Sequence, residues 1–195
     1  NTNYFSKYKD EKLFLPYYMY PKIYNSNYDD LEKLKSNIKL IKIFFSGSTN
    51  NEVYGKFTWF NEDKLKLLNR IEIIDFIIKN FKDKIFFLKS YKDLNKIDHS
   101  KTPIVLSIND GLIKKSKTNL SNSEHLELIS KSNFLLTAPG GDMPLCHHLI
   151  EGIKMRTIPI SNYADLHKPV LSENNYIHFN DFKTLHESIL LALSM

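Results

Sequence analysis

Cys146 is the only cysteine in the 195 residues. No internal disulfide can form and no CxxC or zinc-finger spacing exists, which fits a reducing compartment. Long apolar runs are missing as well. None approaches the roughly 20 residues that cross a bilayer as a helix, and the opening NTNYFSKYKDEK lacks the apolar h-region of a signal peptide. Arginine is confined to Arg70 and Arg156, and lysine is scattered among Asn and Ile. Without clustered basic residues the footprint of a nucleic-acid binder is absent, so no nucleic-acid partner is expected. The balance of 27 Lys+Arg against 22 Asp+Glu, a net +5, still suits an anionic ligand or a peripheral membrane contact. The expected location is therefore cytoplasmic or membrane-peripheral. G-x-G-x-x-G and G-x-x-x-x-G-K are both absent, which excludes the dinucleotide fingerprint and the P-loop. There is no internal repeat and no low-complexity segment.

What is present is an alternation of short apolar runs and helical periodicities. Residues 1–39 are polar and tyrosine-rich, and read as an extended segment: a linker, or the tail of a preceding domain. Asn1 in place of Met is what a fragment or processed piece would show. From residue 40 the pattern becomes that of one α/β domain running to 195. IKIFFSG (41–47) reads as a first strand ending in a tight turn at Ser46-Gly47-Ser48. Leu65, Leu68, Ile71, Ile74, Ile77 and Ile78 predict a helix over 61–81. KIFFLKS (84–90) and PIVLS (103–107) predict two strands, the second closed by a turn at Ile108-Asn109-Asp110-Gly111. Ser121 or Ser123 caps a helix running to Ser132. Further strands are expected at 134–137, 157–161 and 175–179, and helices at 144–155 and 182–193, the last opened by Asp181. Alternating strands and helices imply an α/β fold: a Rossmann-like, mainly parallel sheet with helices on both faces.

The stretch FLLTAPGGDMPLCHHLIEGIKMRTIPI (134–160) carries most of the functional signal. It reads as strand, glycine loop, helix and strand, the layout that binds nucleotides at the carboxyl edge of an open sheet. On a helix from Pro144, the residues Leu145, Cys146, Leu149, Ile150, Gly152 and Ile153 share one side, with Leu145, Leu149 and Ile153 as a core stripe. Pro144, His147, His148 and Glu151 share the other. Asp142 is placed to cap the first turn, leaving N–H groups from Gly140 to Met143 for an anion. A diphosphate there puts a ribose near Glu151, whose carboxylate can accept from two hydroxyls; the plainer reading makes Glu151 a solvated helix residue. Ser46-Gly47-Ser48 is a second candidate element, since glycine lets a ligand approach the backbone. Arg70 can reach a diphosphate or simply lie on the surface, and Arg156 reads as structural. His147 and Glu151, at i and i+4, can share a metal, but no third ligand is evident and no metal is expected. His125, His99, His167, His178 and His186 show no ligand spacing.

At PGGDMPLCHHLIEGIKMRTIPI (139–160) the chain resembles the donor-site block of exostosin-like glycosyltransferases, within the GT-B superfamily. Pro139, Gly141, Asp142, Leu149, Glu151, Ile158, Pro159 and Ile160 fall in register with it. HLELISKSNFLL (125–136) and KLIKIFFSG (39–47) resemble the family's lead-in elements. The chain departs from the pattern at His148, where the family has Arg, at Arg156, where it has Gly, and at Met143, where the wider superfamily often has an acidic residue. The resemblance implies the C-terminal, donor-binding half of a two-domain enzyme that transfers a sugar from a nucleotide-sugar to a glycan or glycolipid acceptor. It implies a donor site built from Ser46, Gly47, Ser48, Arg70, Pro139, Gly140, Gly141, Asp142, Met143, His147, His148 and Glu151. In that setting the nucleotide-sugar is a substrate, no separate cofactor is needed, and any catalytic base comes from the acceptor half. A non-catalytic nucleotide- or glycan-binding module derived from such an enzyme is the alternative, and a flavodoxin-like phosphate-binding domain a further one.

Overall fold

The structure, a computed structural model, describes residues 28–55, 67–111, 118, 120–141, 146–164 and 175–195. Among these, the helices are α1 (Tyr28–Lys33), α2 (Asn51–Tyr54), α3 (Arg70–Asn80), α4 (Asn122–Ser130), α5 (His148–Lys154) and α6 (Phe182–Ser194). The strands are β1 (Ile41–Thr49), β2 (Ile85–Phe87), β3 (Ile104–Gly111), β4 (Ser132–Leu136), β5 (Ile158–Ser161) and β6 (Ile177–His178). They form one sheet in the order β2-β3-β1-β4-β5-β6, and every pairing is parallel. The fold is thus the Rossmann-like α/β architecture that the alternation of elements predicts. No helix of the described residues is long and apolar enough to cross a membrane.

Strand periodicity sends successive side chains to opposite faces, and two cores result. Ile43, Phe45, Ile104, Leu106, Phe134 and Leu136 join Ile73, Ile74 and Ile77 of α3 and Leu185 and Ile189 of α6. Phe44, Val105 and Leu135 point the other way, to Leu126 and Ile129 of α4, Met155 and Leu31 of α1. Both faces of the central strands are covered, as a parallel sheet requires. Helix starts are set locally. Asn69 and Glu72 form a reciprocal capping box at α3, Ser121 and Glu124 another at α4, and Asp181 caps α6 through Thr184.

The structure departs from the sequence expectations in several places. Residues 28–33, expected to be extended, form α1, and Leu31 enters the second core. β1 does not turn at Ser46–Ser48 but continues to Thr49, with a register shift against β3 between Gly47 and Thr49. β3 likewise runs through the expected turn at 108–111. The two extensions hold each other: Ser48 Oγ donates to Asp110 Oδ1, and Thr49 Oγ1 donates to the Asp110 carbonyl at 2.5 Å. Gly111, at φ +91°, permits this, because a Cβ there would lie 1.9 Å from the Thr49 carbonyl oxygen. α3 begins at Arg70, where Asn69 caps it; the 61–66 part of the expected helix lies outside the described residues. The helix expected to reach Ser132 ends at Ser130, and Ser132 opens β4.

The chain's crossing pattern defines the site. β1 and β4 are neighbours, but the chain leaves β1 towards β2 and β3 and leaves β4 towards β5 and β6. The carboxyl ends of two such strands flank a crevice, the topological switch point.

Burial decides which side chains hold this sheet. Ile74 is fully buried in the first core, whereas Leu191 on α6 is 51% exposed. Ile74→Ala should lower stability by about 2–5 kcal/mol and Leu191→Ala by less than about 0.5 kcal/mol, read from urea unfolding midpoints. Equal costs at the two positions would contradict the assignment of faces.

Candidate functional site at the switch point

Gly47, near the end of β1, is the centre of the crevice. An ideal Cβ on it would stand 3.4 Å from Arg70 Nη1 and 3.6 Å from His148 Cε1. A Cβ at those distances would make ordinary van der Waals contacts, so what favours glycine here is the backbone, whose φ of +154° side chains rarely adopt.

Arg70 is the first residue of α3, placed there by the Asn69–Glu72 box. The sequence allowed it a surface role; it is instead 4% exposed. Its guanidinium donates to the Ser48 carbonyl at 3.3 Å, the Ala138 carbonyl at 3.5 Å and Cys146 Sγ at 3.5 Å. Its Cζ lies 3.9 Å over the Tyr54 ring, a cation–π contact. Nε has no partner, and no described carboxylate forms an ion pair with Arg70. A cation withdrawn from water without a counter-charge is costly and favours an anion brought to it. Tyr54 is held in turn because α2 packs on the loop after β4: a Cβ on Gly141 would be 2.3 Å from the Val53 carbonyl oxygen. Pro139 is buried and Gly140 half-buried in the same loop.

The opposite side of the crevice is built by α5. This helix starts at His148 rather than Pro144, and no side chain caps it. Gly140 and Gly141 lie in the loop after β4, ahead of that start. Asp142 and Met143, with the rest of 142–145, lie outside the described residues. The expected wheel is also rotated. Ile153, assigned to the core stripe, is 39% exposed, whereas Leu149, Gly152 and Glu151 are buried. Gly152 explains the rotation, since its missing side chain lets the helix lie against Leu135 of β4, whose Cδ2 would be 2.9 Å from a Cβ.

Glu151 is consequently not a solvated helix residue but 1% exposed. Three imidazoles surround it. His125 of α4 places Nε2 3.3 Å from Oε2, and His147 places Nε2 3.8 Å from Oε1. His148 lies against both, its ring tilted to His125 at a centroid distance of 5.2 Å and edge-on to His147 at 4.4 Å. Burial pushes the His148 imidazole down to about 3, more than the charge of Glu151 offsets. Burial also lowers His147. For Glu151 burial acts upwards, but the His125 hydrogen bond and the nearby imidazoles outweigh it and hold the carboxyl at about 2. At neutral pH the cluster is thus an ionised carboxylate beside a neutral His148. Since His148 is then uncharged, the His125 hydrogen bond is the main support of the ionised carboxylate.

The chain matches no protein-family model and no curated protein.

Of the expected site residues, the structure therefore gathers Gly47, Arg70, His148 and Glu151 around one crevice, with His147 on its edge. Ser46 is buried, and Ser48 is committed to Asp110 and, through its carbonyl, to Arg70. Sequence spacing missed His125, which lies 26 residues before Glu151 and meets it only because α4 and α5 pack together. It also missed Tyr163, fully buried beyond β5, whose hydroxyl donates to the Cys146 carbonyl at 3.4 Å and whose phenol burial pushes well up. Only the return of the chain to the same sheet edge after β5 pointed there.

The carboxylate gives a pH signature. Glu151 titrates near 4.5 in the open chain and near 2 in the fold, so on acidification the unfolded chain takes the proton first. Its stabilising contribution is complete above pH 4.5 and is lost as pH falls through about 2. Glu151→Gln should flatten the acid limb of stability across that window, measured by urea unfolding at a series of pH values. An unchanged limb would refute the buried, ionised carboxylate.

Proposed function

We propose that this chain is the donor-binding domain of a glycosyltransferase, taking a nucleotide-sugar and passing its sugar to a glycan or glycolipid acceptor. The observation that carries the reading is Arg70: a buried guanidinium without a described counter-ion, set at the switch point of a parallel sheet. The diphosphate of a nucleotide-sugar supplies two negative groups of the right size for such a place. In this reading Arg70 stabilises the diphosphate as it departs, which is where negative charge develops when the glycosidic bond breaks. Gly47 gives the diphosphate access to the strand end. Glu151 accepts from the ribose hydroxyls, in keeping with the resemblance of 139–160 to the exostosin-like donor block. The catalytic base, if the reaction inverts, belongs to an acceptor domain.

A ligand that binds only the folded chain stabilises it by about 2.7 kcal/mol at a hundredfold excess over Kd, about 5–10 °C for a domain of this size. We expect UDP, GDP, ADP or CMP, or one of their sugars, to give such a rise in Tm. Arg70→Met should remove it, Arg70→Lys should keep part of it, and Glu151→Ala should reduce it. If none of these compounds moves the Tm of the unaltered chain, the donor-domain reading is wrong.

A further inference from the structure

We propose that His125, His148 and Glu151 form a binding site for one divalent transition-metal ion of the zinc class. Each offers one ligand atom, and these atoms all lie within 4.8 Å of one another. Zinc bonds of about 2.0–2.1 Å set its tetrahedral ligands about 3.3 Å apart. His125 Nε2 and Glu151 Oε2 already stand at 3.3 Å.

The architecture favours a ligand set over a simple hydrogen bond. A lone buried carboxylate is satisfied by one imidazole donor, yet three histidines of the chain's seven converge on this one. His148 and Glu151 are three apart on α5 and so share a face, which the packing of α5 against α4 turns towards His125. Two imidazoles and a carboxylate suit zinc, and three protein ligands leave one position for water or for an oxygen of a bound molecule. The second carboxylate oxygen of Glu151, the one nearer His147, stays available for another contact. The site does not rest on the nucleotide reading, and metal binding can be present or absent whichever way that reading falls.

The test uses the whole chain stripped with a chelator and titrated with Zn²⁺ alone by calorimetry, with Co²⁺ as a spectroscopic probe. One equivalent of Zn²⁺ should bind, and Co²⁺ should develop the visible ligand-field bands of a low-symmetry site. His125→Ala and Glu151→Gln should each weaken binding by about tenfold or more. His186→Ala, at the exposed surface of α6, should bind as the unaltered chain does. If His125→Ala loses its circular dichroism, His125→Gln replaces it, keeping a polar partner for Glu151 without the imidazole. Absence of stoichiometric binding, or equal affinity in the folded His125 variant and the unaltered chain, would overturn the proposal.

Discussion

Two polar side chains from opposite layers of the domain meet beside one strand end, at Gly47, whose φ of +154° favours glycine. Arg70 comes from α3, which packs on one face of the sheet. His148 comes from α5, whose following residue Met155 enters the core of the other face. Only at the edge of a sheet can two such layers meet, and here Arg70 Nη1 and His148 Cε1 both come within 4 Å of the place a Cβ on Gly47 would take. The chain reversal between β1 and β4 opens that edge. Everything else in the site follows: α2 and the Gly141 loop hold Tyr54 under Arg70, and α4 brings His125 to Glu151.

The resulting electrostatics are uneven. A permanent cation lies on one side of Gly47 with carbonyls, a thiol and an aromatic ring for company. An ionised carboxylate lies on the other, within a ring of imidazoles. The cation lacks a described charge partner, whereas the anion has polar neighbours in excess. An anionic ligand answers the first imbalance and a metal ion the second. A phosphate oxygen next to both would offset the repulsion between Arg70 and a bound cation, so the two readings are compatible though separately testable.

The sheet was legible in the sequence because buried parallel strands write themselves as apolar runs. Ile43 to Phe45, Ile104 to Leu106 and Phe134 to Leu136 are such runs, and all are strands. Strand ends were less legible. Asp110-Gly111 has turn chemistry, yet it extends β3, since Ser48 and Thr49 bond to Asp110 across the sheet. The α5 wheel named His147, His148 and Glu151 as one face but buried the wrong residue in Ile153, because the seating of Gly152 on Leu135 is a tertiary contact that periodicity does not contain. The burial of Arg70 and the approach of His125 to Glu151 escaped for the same reason. Both depend on what α3 and α4 pack against, and local spacing carries no record of that.

The central claim is that Arg70 is a phosphate-binding cation. Its side-chain nitrogen resonances, followed by NMR while a nucleoside diphosphate is added to the isotope-labelled chain, report on that directly. The account predicts that the Arg70 Nε–H signal, from a group now without a partner, shifts progressively and saturates with the binding curve. Saturable diphosphate binding that leaves the Arg70 signals in place would contradict it, and so would the absence of any binding.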